Sequence, residues 1–370
     1  MFKLLQNLDC YTPKHIGKND ILICGDRIYK IQPKIEFTDR ALFEEIYDCT
    51  GLLAAPGFID QHVHIIGGGG ENGYSSRIDE IDFNQIIQAG VTALVGLLGA
   101  DSCTKSPDAL YAKAKALESQ GISTYLYSGS YSMPVVTYTG SIVRDLVLID
   151  KVIGIGEIAV SDHRSSHAGL ERLLKAASDT HLGGLLSGKA GIMHLHLGEG
   201  KAGLAPVLQM IENSDLPLEM FVPTHVNRNE ELFSQAMEFC KSGGNIDLTS
   251  GETEGISVSD AIGRLVRAKI DLSNVTVSSD ANGSIPSGGV GLMQTLYDDI
   301  INCMNQKIIN PEIGFRLVSE NVARRLKLHP KKGVLCEGSD ADILIMDSAY
   351  RIKRLISSGK ILLENEWAGA

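Results

Sequence analysis

Eight short apolar runs recur between residues 57 and 279, and most end on polar or reactive side chains. They are Gly57 to His64, Thr92 to Leu98, Ser123 to Gly129, Val152 to Val160, Ile192 to Leu197, Met220 to His225, Asn245 to Thr249 and Val275 to Ser279. Between them the apolar residues return at three- and four-residue intervals, as Leu232, Phe233, Ala236, Met237 and Cys240 do. That period is a helix with one buried face. Helices are predicted over Asp108 to Ser119, Leu170 to Thr180, Ala205 to Asn213, Glu230 to Lys241 and Ser259 to Lys269. Eight buried strands alternating with helices predict an α/β fold, a (β/α)8 TIM-like barrel. A doubly wound open sheet is the alternative. The glycines Gly67 to Gly70 are not followed by Gly-Lys-Ser/Thr, so no phosphate loop is expected.

The flanks read differently. Strands are predicted over Ile21 to Cys24, Arg27 to Ile31 and Tyr47 to Ala54, with one helical period over Ala41 to Ile46. The stretch from Ala341 to Trp367 is again strand-rich. Neither flank has residues enough for a core of its own, so the two are expected to pair. The expectation is a small β-sandwich domain formed by both termini, 1–55 plus 330–370, beside a barrel over 56–329. A length of 370 residues suits a barrel of about 250 residues with a satellite.

Composition narrows the partners. A net charge of −11 argues against nucleic acid or an anionic membrane surface. The 7 cysteines are scattered with no C-x-x-C, which points to a reducing compartment and no thiolate zinc site. The N-terminal residues lack the apolar core of a signal peptide, and no run approaches the ~18 apolar residues of a membrane span. A cytoplasmic protein is expected.

Reactive residues should gather where barrel strands end. His62 and His64 close the first strand, Glu157 lies in the fourth, His196 closes the fifth, His225 the sixth and Asp280 the eighth. His62 and His64 are two residues apart, so on a strand both imidazoles point the same way, with Asp60 on the same parity. Nitrogen and oxygen ligands without thiolate suit zinc, or manganese, cobalt or iron. Six ligands exceed what one catalytic zinc needs, so two metals sharing a bridge are expected. His194 sits deeper and is read as packing or as support for the ligands. His15, His163, His167, His181 and His329 fall outside the pattern.

With these residues in place, the chain resembles the amidohydrolase superfamily. P-G-F-I-D-Q-H-V-H at Pro56 to His64, His196, His225 and S-S-D at Ser278 to Asp280 carry the likeness. Within that superfamily it is similar to the isoaspartyl dipeptidases, or β-aspartyl peptidases. The motifs are I-G-G-G-G-E ending at Glu71, G-V-T-A-L-V-G-L-L-G at Gly90 to Gly99, S-D-H-R at Ser161 to Arg164, P-T-H-V-N-R at Pro223 to Arg228 and S-S-D-A-N-G-S at Ser278 to Ser284. The likeness covers nearly the whole chain and implies a distorted (β/α)8 barrel holding two zinc ions, or other divalent metals. One departure stands out. The family usually bridges its metals with a carboxylated lysine on the fourth strand, and here Glu157 stands there in a segment carrying one extra residue. A glutamate is about three bonds shorter, roughly 3–4 Å less reach. A local bulge that brings the backbone nearer the metals is therefore expected. The alternative is a Glu157 that binds one metal or none.

The resemblance implies hydrolysis of the β-aspartyl amide bond in dipeptides by a metal-bound hydroxide, releasing aspartate and an amino acid. Asp280 would be metal ligand and general base then acid, and Tyr131 would donate to the oxyanion. Glu71 would hold the substrate α-ammonium, with Arg164, Arg228 and Ser284 around its carboxylates. Relatives form homo-oligomers, commonly octamers. Two alternatives remain. One is a metal hydrolase acting on a cyclic amide or N-acyl amino acid, as dihydroorotases and deacylases do. The other is a metal-binding protein without turnover, which the lysine-to-glutamate change makes conceivable.

Overall fold

The structure, a computed structural model, describes residues 2–285 and 288–366. The chain opens with β1 (Phe2–Tyr11), β2 (His15–Cys24) and β3 (Arg27–Gln32), paired antiparallel in that order. Asn7 has φ of 63°, and the pairing of β1 with β2 breaks register between Leu5 and Leu8. Such a bulge interrupts the alternation that would have announced β1 in the sequence. The expected helix over Ala41 to Ile46 does not form. A 3-10 turn at Arg40–Leu42 leads into β4 (Phe43–Asp48), parallel to the first half of β1. Phe43 and Ile46 pack with Leu4, Leu22 and Ile35, and this distant pairing outweighs the local helical period.

β5 (Leu53–Pro56) pairs with the second half of β1 and delivers the chain to the barrel. Six parallel strands follow in sequential order: β6 (Phe58–Val63), β7 (Val91–Gly96), β8 (Ser123–Ser128), β9 (Val152–Val160), β10 (Ile192–Leu197) and β11 (Phe221–Thr224). A parallel pair, β12 (Ile246–Thr249) and β13 (Val275–Ser278), completes the ring. Val226 N–H reaches Asp247 O at one seam, and the Val63–Ala281 bridge closes the other. All eight expected strands are present, and closure removes the open-sheet alternative. Gly68, Gly70 and Gly73 do fall at a G-x-G-x-x-G spacing after β6. Their loop runs into a 3-10 turn at Tyr74–Ser76 rather than a helix, so no helix N-terminus meets a pyrophosphate there.

The outer helices are α1 (Phe83–Gln88), α2 (Pro107–Gln120), α3 (Ile142–Leu148), α4 (Leu170–Ser187), α5 (Ala205–Glu212), α6 (Glu230–Lys241), α7 (Val258–Arg267), α8 (Gln294–Asn305), α9 (Pro311–Leu317) and α10 (Glu320–Arg325). Their apolar faces and the outward strand residues share one core, in which Phe233, Ala236 and Cys240 of α6 are buried with Ile246 and Leu248 of β12. Inside the ring, Ile59, Val95, Tyr127, Ile153, Ile192 and Val222 pack on Val322, Ala323 and Leu326. Those last three come from α10 and the residue after it, so α10 stoppers the bottom and leaves the strand C-termini as the open end.

The chain returns through β14 (Ile343–Met346), β15 (Ile352–Ser357) and β16 (Lys360–Glu364), which extend the first sheet from β5. Trp367 lies outside the described residues. The sandwich expected from the two flanks is realised as one eight-stranded sheet curled on itself. Ile28 N–H donates to Ser339 O, and Leu8, Ile21, Ile28, Ile343 and Ile356 share one cluster. Among the described residues no helix is long and apolar enough to cross a membrane.

Candidate metal centre

Six of the predicted site residues meet at the open end of the barrel. His62 is the penultimate residue of β6, and His64 lies one residue past its end. The pairing of β6 with β7 slips between Asp60 and Val63, so strict alternation fails, yet both rings still face one carboxylate. His62 Nε2 is 3.3 Å and His64 Nε2 3.1 Å from Asp280 Oδ1. Asp60 faces elsewhere, accepting from the backbone N–H groups of His62 and Ser279. It braces the strand that presents the first histidine.

Glu157 lies within 3.5 Å of all four imidazoles. Its Oε1 is 3.4 Å from His64 Nε2, and its Oε2 is 3.0 Å from His196 Nδ1, 3.4 Å from His225 Nε2 and 3.5 Å from His62 Nε2. The backbone accounts for this reach. Between the pairs Ile155–Met193 and Ile158–Leu195, β9 carries one residue more than β10. A bulge of one residue at Gly156 and Glu157 re-aims the side chain into the ring.

The chemistry of this cluster suits cations. Glu157 and Asp280 are carboxylates in a buried site, which costs far more than either gains unless positive charge joins them. His62 Nε2, Glu157 Oε1 and Asp280 Oδ1 are buried without a hydrogen-bond partner among the described residues although they converge. Two ligand groups, His62–His64–Asp280 and His62–Glu157–His225, each bring their donor atoms within 4.8 Å of one another. Burial would raise the carboxyl groups, but the adjacent imidazoles reverse that and hold Glu157 and Asp280 well below the usual carboxylate range. Burial and the Arg228 guanidinium push the His225 imidazole down to about 3, leaving it a neutral donor. The residues present therefore fit divalent metal, which the group can hold through nitrogen and oxygen.

Three of the four imidazoles have a partner on the far side, and His64 Nδ1 is buried with none among the described residues. His225 Nδ1 meets Thr249 Oγ1 at 2.7 Å, and His62 Nδ1 meets His194 Nε2 at 2.8 Å. His196 Nε2 lies 2.9 Å from Asp162 Oδ2. Sequence reading did not single out Thr249 or Asp162. The only signal for Asp162 was its place beside Arg164 in S-D-H-R.

Of the other predicted residues, Glu71, Arg164, Arg228 and Ser284 line a cavity of about 320 Å³, together with Asp162. Tyr131 Oη is 2.9 Å from His196 Nδ1. Burial, reinforced by Glu157, raises its phenol well above the usual range, so it stays a hydrogen-bond donor. Ser284 donates to Glu71 Oε1 at 3.0 Å, and Arg164 Nη1 lies 3.4 Å from the same oxygen. Arg228 Nη1 is 3.5 Å from His196 Nε2, and Arg228 Nε is buried without a partner among the described residues. The cavity is thus lined by both acids (Glu71, Asp162 and Glu199) and guanidinium groups (Arg164 and Arg228), with Arg228 reaching the histidine cluster.

A β-aspartyl dipeptidase from Fervidobacterium islandicum AW-1 is 42% identical to this chain, with a TM-score of 0.93 over 98% of this chain and 97% of that one. The chain belongs to the β-aspartyl dipeptidases. It is thereby a hydrolase of the amidohydrolase superfamily. A second structure of the Fervidobacterium protein, with the same coverage, holds the dipeptide β-Asp-Leu. Among curated proteins, an adenine deaminase from Rhizobium johnstonii is 25% identical over 366 residues, 95% of this chain and 54% of its own length. A dihydroorotase from Pediococcus pentosaceus is 27% identical over 129 residues. The chain spans about half the length of the deaminase and matches 28% of the dihydroorotase. No protein-family model matches the chain.

Proposed function

We propose that this protein hydrolyses the β-aspartyl amide bond of dipeptides, releasing aspartate and a second amino acid. One observation carries the reading: a carboxylate within 3.5 Å of four imidazoles adjoins a cavity lined with opposite charges, in a chain 42% identical to a β-aspartyl dipeptidase. His62, His64, Glu157, His196, His225 and Asp280 would hold two zinc ions, Glu157 standing where relatives carry a carboxylated lysine. When bound, such cations polarise the scissile carbonyl and acidify water.

The chain's own groups do the rest. Asp280 takes the proton of the attacking water on its carboxylate and returns it to the leaving amine. Tyr131, a phenol held protonated, donates its O–H to the oxygen that gains charge as the carbonyl becomes tetrahedral. Glu71 receives the substrate α-ammonium, and Arg164, Arg228 and Ser284 receive its carboxylates. A peptide longer than two residues would leave such groups desolvated and unpaired, at a cost of about 1–3 kcal/mol for each. That selects dipeptides with free termini.

The same reading includes a cytoplasmic protein with a barrel over 56–329 and a β domain from 1–55 and 330–370, assembled as a homo-oligomer, an octamer by resemblance. Val147 and Leu148 on α3 and Leu182, Leu185 and Leu186 on α4 are exposed apolar side chains that support association. The deciding experiment is elemental analysis of purified protein together with assays on β-Asp-Leu and on N-acyl amino acids. Two zinc equivalents with β-Asp-Leu cleavage are expected. Cleavage of blocked N-acyl amino acids alone would replace the substrate assignment.

A further inference from the structure

Asp162 belongs to neither the proposed metal ligands nor the proposed substrate groups, yet it touches one of each. Its Oδ2 lies 2.9 Å from His196 Nε2 and 2.8 Å from Arg164 Nη2. Its Oδ1 accepts from Arg164 Nε at 3.0 Å and from the Arg164 backbone N–H at 2.7 Å. The guanidinium fork is therefore gripped at both carboxylate oxygens, a geometry that fixes its plane. Arg164 Nη2 and His196 Nε2 lie 3.2 Å apart and share Asp162 Oδ2 as a neighbour.

A neutral imidazole has one proton. With that proton on Nε2 facing Asp162, the lone pair of His196 Nδ1 is turned towards Glu157 Oε2, 3.0 Å away. The room for this carboxylate comes from Gly198, two residues beyond His196. A Cβ at Gly198 would stand 2.2 Å from Asp162 Oδ2 and 2.5 Å from its Cβ. Asp162 is itself buried, so water cannot take over its bonds freely.

We infer that Asp162 is a positioning residue that sets the tautomer of a metal ligand, His196, and the direction of a specificity residue, Arg164, at the same time. The inference rests on the dipeptidase reading for the role of Arg164, while its grip on His196 stands on geometry alone. A single carboxylate thus joins the metal half of the site to the half that reads the substrate's carboxylate.

The test compares wild type with Asp162→Asn, Gly198→Ala and Arg164→Met. Zinc dissociation constants come from chelator competition, and kcat and KM from β-Asp-Leu. Asp162→Asn is expected to weaken zinc about 10–100-fold at one site and to raise KM about 10-fold or more. Arg164→Met is expected to raise KM while zinc affinity stays within about twofold. Gly198→Ala, which displaces the carboxylate without removing it, reproduces both effects of Asp162→Asn and decides the matter if that variant does not fold. Zinc affinity within about twofold of wild type in both Asp162→Asn and Gly198→Ala overturns the inference, as does weakened zinc with unchanged KM. Wild type that binds zinc but leaves β-Asp-Leu intact defeats the dipeptidase reading instead, and the zinc comparison still judges Asp162 against His196.

Discussion

His62 Nδ1 sits 2.8 Å from His194 Nε2, and both rings are fully buried. His62 Nε2 faces Asp280 and Glu157; with a cation taking its lone pair there, the ring proton of His62 would sit on Nδ1, where His194 Nε2 would accept it. Burial and the neighbouring His62 hold the His194 imidazole well below its ordinary range, which keeps it neutral and able to accept. His194→Phe should weaken zinc about 10–100-fold, while His194→Gln, which keeps an acceptor, should recover most of that. Chelator competition reads both. Equal affinities in the two variants would reduce His194 to packing.

Glu157→Ala is expected to lose at least one of two metal equivalents and most of the turnover, because its oxygens face both histidine pairs. Elemental analysis checks the first and the β-Asp-Leu assay the second. Two full equivalents in the variant would contradict a bridge.

Arg228 offers a buried Nε without a partner among the described residues, poised beside the cavity. Arg228→Met should raise KM for β-Asp-Leu about 10–100-fold, since a hydrogen bond to a charged group contributes about 1.5–3 kcal/mol. Glu71→Gln should act in the same direction through the α-ammonium. Initial-rate kinetics on metal-replete protein would expose an unchanged KM in either.

Far from the site, Lys332 is buried between Asp340 and Asp342, at 2.8 and 2.6 Å. Burial would lower its pKa, but the two carboxylates outweigh that and raise it. A raised cationic pKa gives stability that is complete below the unfolded value of about 10.4 and fades as pH climbs through the folded value. Lys332→Met takes the only cation from Asp342 among the described residues, leaves Asp340 to Arg27 alone, and should cost about 3–5 kcal/mol in denaturant titrations at neutral pH. A loss below about 1 kcal/mol would mean that water reaches the pair.

The exposed leucines of α4 supply a test of assembly. Leu185→Glu with Leu186→Glu should shift the sedimentation profile to smaller species, and an unchanged profile would place the interface elsewhere.

Much of this was legible in the residues themselves. Eight apolar runs fixed eight strands because a strand buried on both faces needs an unbroken apolar stretch. His62, His64, His196, His225 and Asp280 could be gathered on paper because a parallel barrel puts every strand's C-terminal end on one rim. Other features depended on partners distant in sequence. β1 is hidden by the bulge at Asn7, and the segment beginning at Phe43 became β4 only because the start of β1 lay alongside it. Glu157 reads locally as an apolar strand's odd acid. Its reach to four imidazoles comes from an extra residue in β9 measured against β10, a relation between two strands rather than a property of one. Thr249 carries no local mark and Asp162 only its place in S-D-H-R, since a hydrogen bond to the far nitrogen of an imidazole is set by where the neighbouring strand and loop place their side chains; His194, two residues before His196, could be read only as packing or as support for the ligands. Patterns of apolarity were enough to favour a ring and name its rim, and closure of the strands excluded the open sheet. The orientation of each donor within that rim was decided by packing across it.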